Sequence, residues 1–313
     1  MRLIRLSLLL LAAGCATPNA IAPQVQPSTA SAVRDEPRAL LWEIARAEAP
    51  DRPLYLTGSI HLGRPDQLAF PPSVEAAFAR SKVLVVELDP DMVAPMQAQG
   101  LVVRLGLAMP PAAELSASVA PETKALLPDA LARVGLPLEA VEVMRPWFLA
   151  MTLSMMELQK AGYSEKGGLD LQLLKRARGQ KAVLQLETME SQLRVFADQP
   201  LSVQDLWLRD TIRAAPLMAV QLASMASAWE GGNPDALADL MFSSMKDPGY
   251  APLYEALFTT RNRAMAEKVA ALLDEPEIHF VAVGAGHVVG AEGIPSLLEK
   301  KGFKVRQMPR AAP

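Results

Sequence analysis

Four short apolar runs, spread along most of the chain, constrain the fold more than any other feature. Two of them lead into Gly-x-x-His, at residues 58–61 and 284–287, and the other two end in Glu87 and Glu187. The runs are rich in valine and leucine and are separated by helix-like segments, a pattern that is typical of strands in an α/β protein. We therefore predict the α/β (α+β) class, with a mixed, partly parallel central sheet.

A large helical insertion is predicted between the second and third runs. The order His, Glu, Glu, His along the four runs also indicates two pseudo-symmetric halves, each with a strand that enters Gly-x-x-His. At the end of the chain, a strand, a helix and a strand predict a parallel βαβ unit. The predicted segments are a hairpin of residues 39–45 and 53–58 turning at 49–52, a helix at 73–81, strands at 82–88, 181–187, 278–283 and 303–308, mostly helical chain over 90–179, and a helix at 294–301.

Two longer helices are predicted in the second half of the chain. Ser202 and Asp205 have the spacing of a capping box, so we predict a helix from Ser202 to the glycine pair at 231–232. The second helix begins at Pro252 and ends near Asp274.

The first 37 residues resemble an export signal followed by a tether. Residues 1–14 contain two arginines, a leucine-rich run too short to cross a membrane, and small residues, as in a signal peptide. The only cysteine, Cys15, follows Leu-Ala-Ala-Gly and resembles the lipidated residue of a bacterial lipobox; a plain secretory signal with a chance cysteine is the alternative. Residues 15–37 are rich in Pro, Ala and Ser, and we predict that they form a disordered tether. We predict that residues 38–309 form a single globular domain. We expect an exported protein, lipid-anchored in the bacterial envelope on the periplasmic face of the outer membrane.

Composition excludes several functional classes. The chain of 313 residues has 31 Lys and Arg against 34 Asp and Glu, a net charge of −3, and no basic run, so no nucleic-acid partner is expected. One cysteine cannot build a disulfide scaffold, a cysteine zinc site or an iron–sulfur cluster. The sequence also contains no P-loop, Gly-x-Ser-x-Gly or His-Glu-x-x-His motif.

The ends of the four runs form a candidate site. Because ligands of open α/β sheets bind at the carboxyl ends of the strands, we expect His61, Glu87, Glu187 and His287 to lie close together. Two imidazoles with carboxylates suit a divalent transition metal (zinc, manganese, cobalt or iron), which leaves a spare glutamate as general base. The alternative is that the histidines are hydrogen-bonded structural residues and the glutamates are solvated. His279 lies inside a predicted strand, and the core or surface interpretation is favoured there.

Arg261 is a charged residue inside the apolar stripe of the helix that starts at Pro252, and Asn262 lies on the adjoining edge. A buried guanidinium is costly unless an anion pairs with it. Two interpretations stay open. Arg261 forms a structural salt bridge to a core carboxylate, or it is directed at a glutamate of the site or at a developing oxyanion.

Together these residues resemble the TraB/GumN family, which is related to the Tiki proteases and more remotely to the EreA/ChaN-like superfamily. The resemblance implies an active site of His61, His287 and Glu87, with Arg261 and Asn262 as helpers. Tiki relatives are metal-dependent proteases, the TraB branch shuts down a peptide pheromone, and ChaN-like relatives bind haem as lipoproteins. The matching residues are 41–43, 56–61, 86–89, 145–147, 168–170, 186–188 with Glu190 and Gln192, 261–262, 283–287 and 302–305.

The leading hypothesis is an envelope-tethered, metal-dependent hydrolase of peptides or proteins. His61, His287 and Glu87 bind the metal, Glu187 is a second carboxylate ligand or the base, and Arg261 stabilises the oxyanion. The alternatives are a non-catalytic lipoprotein that binds haem or a peptide, and an inactive enzyme retained as an interaction protein.

Overall fold

A six-stranded mixed sheet forms the centre of the protein. The computed structural model describes residues 36–65, 68–108 and 114–312. Hydrogen-bonded neighbours follow the order β4-β3-β5-β2-β1-β6. Strands β4, β3, β5 and β2 are parallel neighbours, whereas β1 is antiparallel to both β2 and β6. This confirms the predicted mixed α/β class. The strands are β1 (Arg38–Arg46), β2 (Ala49–Ser59), β3 (Val83–Val86), β4 (Ala182–Gln185), β5 (His279–Gly284) and β6 (Lys304–Pro309).

Helices fill the connections between the strands, except in the hairpin of β1 and β2. In its described residues, the segment between β3 and β4 carries six helices, α2 to α7, so the predicted helical insertion is present. Within the part of the chain that the structure describes, no helix is long and apolar enough to cross a membrane. The helices are α1 (Pro72–Arg80), α2 (Pro95–Gly106), α3 (Leu115–Ser118), α4 (Pro121–Val134), α5 (Leu138–Val141), α6 (Pro146–Lys160), α7 (Leu169–Ala177), α8 (Met189–Ala197), α9 (Leu201–Ala214), α10 (Met218–Glu230), α11 (Pro234–Phe242), α12 (Ala251–Tyr254), α13 (Thr260–Leu272) and α14 (Ile294–Lys300).

The two faces of the sheet pack against different apolar clusters. On β3, Val83 and Val85 belong to one cluster, whereas Leu84 and Val86 belong to the other. The helical insertion has a third cluster around Trp147, which is fully buried. Because β3 and β5 are buried on both faces, their sequences are continuous apolar runs rather than alternating ones.

Two predictions about the strands need correction. The hairpin turns at residues 47–48 instead of 49–52, since Arg46 pairs directly with Ala49 and the ladder continues almost to the end of both strands. At the end of the chain, β5 and β6 do run in the same direction, but β2 and β1 lie between them. The hairpin occupies the position that an adjacent β6 would take in a simple βαβ unit.

The long helix predicted from Ser202 is also different. It begins at Leu201 without a side-chain cap, and the Asp205 carboxylate instead accepts a hydrogen bond from the backbone of Ala120, at 3.2 Å. A 3₁₀ turn at Ala215–Leu217 divides the helix into α9 and α10. Pro216 lies in this turn and has no N–H to donate to a continuous α-helix.

The predicted signal sequence at 1–14 and Cys15 lie outside the described residues, as does nearly all of the predicted tether.

Candidate active site at the carboxyl ends of four parallel strands

The sheet order brings the four predicted strand-end residues to one edge. Glu187, Glu87, His287 and His61 follow β4, β3, β5 and β2, which are successive neighbours in the sheet. The parallel ladder continues to the glutamates, because the N–H of Glu187 donates to the carbonyl of Glu87 at 2.9 Å. The order of the strands therefore brings together residues that are far apart in the sequence, such as His61 and His287, which are 226 positions apart.

His61 is held through its Nδ1 atom. That nitrogen lies 2.6 Å from Oδ2 of Asp170, in the first turn of α7, and Ser59 donates to the other oxygen at 2.5 Å. Burial lowers the pKa of His61, but the charge and hydrogen bond of Asp170 outweigh it, so the pKa lies above the ordinary 6.5. The Nε2 atom of His61 is left facing Gly284.

His287 is held in the same way by a neutral group. Its Nδ1 lies 2.5 Å from Oδ1 of Asn262, whose amide nitrogen donates to the carbonyl of Glu292 at 2.8 Å. The Asn262 oxygen therefore accepts the Nδ1 proton, and Nε2 carries a free lone pair. Burial, and next the charge of Arg261, hold the pKa of His287 well below 6.5.

Glu87 lies between the two histidines. Its Oε1 atom is 3.6 Å from Nε2 of His287 and accepts a 2.5 Å hydrogen bond from the N–H of Gly284. A Cβ atom on Gly284 would stand 2.7 Å from Nε2 of His61 and 3.1 Å from Oε1 of Glu87, so these two atoms are less than about 6 Å apart. Gly284 has an ordinary φ of −53°. The site therefore needs this glycine for close approach and not for a left-handed turn.

Arg261 joins the two glutamates. Its Nη2 donates to Oε2 of Glu87 at 2.8 Å and to Oε2 of Glu187 at 2.6 Å, and its Nε donates to Oε1 of Glu187 at 2.8 Å. Although burial lowers the pKa of Arg261, its hydrogen bonds and charge contacts with the two glutamates raise it above its ordinary value. Arg261 was interpreted either as a structural salt bridge to a buried carboxylate or as a cation directed at a glutamate of the site. Both descriptions apply, because its salt-bridge partners are the two glutamates of the site.

A π-helical turn at Glu255–Thr259 precedes Arg261 in the helix. Such a turn inserts an extra residue into the α-helical repeat and is frequent at functional sites. Here it leads directly into α13, where Arg261 points to the glutamates and Asn262 to His287. Arg261 also donates from Nη1 to the carbonyl of Leu257, inside the π-turn, at 3.2 Å.

Glu187 stands behind Arg261 and does not line the cavity at the strand ends, whereas Glu87 does. Gln192, which is 3% exposed, bridges the pair: its Nε2 donates to Glu187 at 2.9 Å and to Glu87 at 3.3 Å. His279 is buried within β5, as the sequence indicated, and burial lowers its pKa.

Asp170, Ser59 and Gln192 are site residues to which the sequence assigned no role. Asp170 reads as an ordinary helix start, and Gln192 as one polar residue of an amphipathic helix. Only the resemblance to a known family placed Asp170 and Gln192 among the matching motifs, and no spacing links either of them to its partner in the site.

We expect the two site histidines of the metal-free protein to titrate at different pH values, His61 above pH 6.5 and His287 well below it. At pH 6.5, His61 should be mostly imidazolium because its pKa is raised, whereas His287 should be neutral with its proton on Nδ1. Nitrogen NMR of the three ring systems tests this, with His61→Gln and His287→Gln for assignment. Two histidines that titrate together near pH 6.5 would contradict the asymmetry.

The donor atoms at the site suit a divalent transition metal. Each histidine has its Nδ1 fixed by a carboxylate or amide oxygen, the arrangement usual for histidine ligands, so Nε2 is left to bind. Oε1 of Glu87, which lies 3.6 Å from Nε2 of His287, supplies an oxygen donor beside them. Among the described residues, no three His, Cys, Asp or Glu side chains are already converged as a complete ligand set. The chemistry of His61, His287 and Glu87 nevertheless fits such an ion.

Comparisons with known proteins agree on a family. The model of the TraB/PrgY/gumN family matches residues 40–307, which include every residue of the site. The uncharacterized protein YbaP of Escherichia coli (strain K12) is 28% identical over 252 residues, covering 79% of this chain and 88% of that protein, and YbaP of Shigella flexneri matches to the same extent. No solved structure matches. The family model spans most of the chain, and the chain therefore belongs to the TraB/PrgY/gumN family.

Proposed function

We propose that this protein is a hydrolase of peptide bonds whose catalytic groups are His61, His287, Glu87 and Arg261. The observation that carries the proposal is that His61, His287 and Glu87 line one cavity, with Oε1 of Glu87 lying 3.6 Å from Nε2 of His287. Each imidazole is oriented by a buried partner through Nδ1. Catalysis requires such preorganisation, whereas a purely structural histidine does not require it.

The residues divide the work of hydrolysis among them. When bound, a divalent ion held by His61, His287 and Glu87 would lower the pKa of a water and polarise the scissile carbonyl. Water adds its oxygen to the carbonyl carbon, and the carbon–nitrogen bond breaks as one of the protons of that water reaches the amine nitrogen. Arg261 lines the same cavity and places its positive charge where the carbonyl oxygen becomes negative.

Glu187 has a supporting role in this proposal. Both of its oxygens accept hydrogen bonds from Arg261, and one also accepts from Gln192. Since it does not line the cavity, we assign it to positioning the guanidinium instead of to binding the metal or acting as the base.

A metal-free version of the same reaction is supported by the different hydrogen-bond partners of the two histidines, a carboxylate for His61 and an amide for His287. The pKa of His61 is raised and that of His287 is lowered. Two groups whose pKa values are shifted in opposite directions can act as general acid and general base. His287 would take the proton of water through Nε2, and His61 would give one to the leaving amine. Metal content distinguishes the two versions.

Hydrolysis is tested by incubating the protein with a mixture of synthetic peptides of diverse sequence and identifying the products by mass spectrometry. The reaction is run as purified, after removal of metal by a chelator, and after separate addition of zinc, manganese, cobalt or iron. New termini that require both histidines are the expected result. No cleavage under any of these conditions would overturn the proposal and favour capture of haem or a peptide.

We also propose that the hydrolase is exported and anchored in the envelope through lipid on Cys15. The support is the signal-like sequence before this cysteine, the only one in the chain. In a bacterial host, we expect Cys15→Ser to move the protein from the membrane fraction to the soluble fraction and to abolish incorporation of labelled fatty acid. Ser31→Ala, within the predicted tether, is the control. A Cys15→Ser protein that stays in the membrane fraction would refute the anchor.

A further inference from the structure

The cavity at the strand ends has a second, apolar half. Residues of helices α10 and α11 and of the π-turn line this half. No ionisable side chain contributes to this half among the described residues, and the charged lining groups all belong to the catalytic cluster. We call this half the apolar chamber, and its residues are Leu222, Met225, Leu237, Met241, Leu257 and Phe258.

The apolar chamber begins next to a catalytic residue. A Cβ atom placed on Gly286, the neighbour of His287, would stand 2.6 Å from the Phe258 ring and 2.8 Å from the Met241 methyl group. The rings of Phe258 and His287 have their centres 5.7 Å apart. A group bound in the chamber would therefore lie within one residue of the reacting bond.

The size and polarity of the cavity select its occupant. The whole cavity has a volume of about 120 Å³. An apolar cavity of roughly 150 Å³ can hold benzene, so this space suits one side chain rather than a large planar cofactor. A charged side chain would lose its hydration there without finding a partner, whereas an aliphatic or aromatic one would bury its apolar surface.

We propose that the apolar chamber is a specificity subsite that receives one large apolar side chain, of the size of Leu, Met or Phe, from the residue beside the scissile bond. This inference rests on the proposed hydrolase function and adds its substrate class. Met225 and Met241 form the adaptable wall, because the unbranched methionine side chain adjusts to guests of different shape.

The first test measures cleavage preference. In a series of peptides that differ only at the residue beside the cut, we expect kcat/KM for Leu to exceed that for Ala by about 10- to 200-fold or more, since several methylene groups are involved. Met241→Trp should reverse the preference toward Ala, and Met241→Ala, which enlarges the space, should favour Phe. Leu240→Trp, at an exposed position of the same helix outside the cavity, is the matched control.

The second test measures binding without hydrolysis. In protein labelled at the methionine methyl groups, N-acetyl-leucinamide should shift the NMR signals of Met225 and Met241 in a saturable way, and N-acetyl-lysinamide should not. Met92 and Met96, 69% and 83% exposed, are internal controls. In Met241→Trp, where only the Met225 signal remains to report on the chamber, the probe should no longer shift it.

The two tests separate the subsite from the hydrolase. Binding of the leucine probe without cleavage of any peptide would overturn the hydrolase and leave the chamber as a binding site for an apolar side chain. Cleavage without preference for apolar residues, or equal shifts with both probes, would overturn the subsite and leave the hydrolase standing. If the leucine probe does not bind and cleavage shows no preference for apolar residues, the subsite is also overturned.

Discussion

Replacing Arg261 by methionine is expected to lower the free energy of unfolding by about 3–5 kcal/mol, the usual effect of removing one partner from a buried ion pair. Glu87 is 3% exposed, and the side chain of Glu187 is 11% exposed. Without the guanidinium, two carboxylates would face each other in the interior, although Gln192 would still donate to both. Urea denaturation at neutral pH, with circular dichroism as the signal, measures the loss.

Two further variants show whether charge is the cause. Arg263, in the same helix, has a side chain that is 64% exposed. Arg263→Met should therefore lower the free energy of unfolding by less than about 1 kcal/mol. Adding Glu87→Gln and Glu187→Gln to Arg261→Met should recover part of the lost stability, because no uncompensated charge remains. A loss under about 1 kcal/mol for Arg261→Met alone would mean that the ion pairs contribute little to stability.

The largest effect on activity is expected from the histidines. His61→Gln and His287→Gln should each lower kcat/KM by about 10³-fold or more, because each removes a group in direct contact with the reacting atoms. Asp170→Asn should lower it by only about 10- to 100-fold, since Asp170 orients His61 and does not touch substrate. Peptide cleavage by the purified variants gives these ratios.

His279→Gln serves as the control for these activity measurements, because His279 lies in β5 with its side chain outside the site cavity. All variants should keep the circular dichroism spectrum of the unchanged protein. Full activity in both His61→Gln and His287→Gln would remove the histidines from the mechanism.

The strand-end residues were predictable from sequence because a simple rule of topology controls them. Parallel neighbouring strands present their carboxyl ends together, so His61, Glu87, Glu187 and His287 had to meet once the four runs were strands of one sheet. Arg261 was detectable for a different reason. A charged residue inside an apolar stripe requires a buried partner, although the sequence did not say which one.

The parts that were not predictable depend on contacts between distant segments. Asp170 reaches His61 only because the start of α7 packs against the end of β2, where a Cβ on Gly168 would meet the His61 carbonyl at 2.1 Å. The capping box of Ser202 failed because Asp205 accepts a hydrogen bond from Ala120, the residue that precedes α4. The π-turn before Arg261 did not follow from any sequence pattern, which predicted one regular helix from Pro252 to near Asp274.

The central claim is that His61, His287 and Glu87 hold a metal ion, and metal analysis tests it most directly. The purified protein is compared by plasma mass spectrometry with His61→Gln, His287→Gln and His279→Gln. We expect a stoichiometric amount of zinc, manganese, cobalt or iron in the unchanged protein and in His279→Gln, and its loss from the other two. A protein that is metal-free as purified and takes up none of these ions on reconstitution would contradict the account.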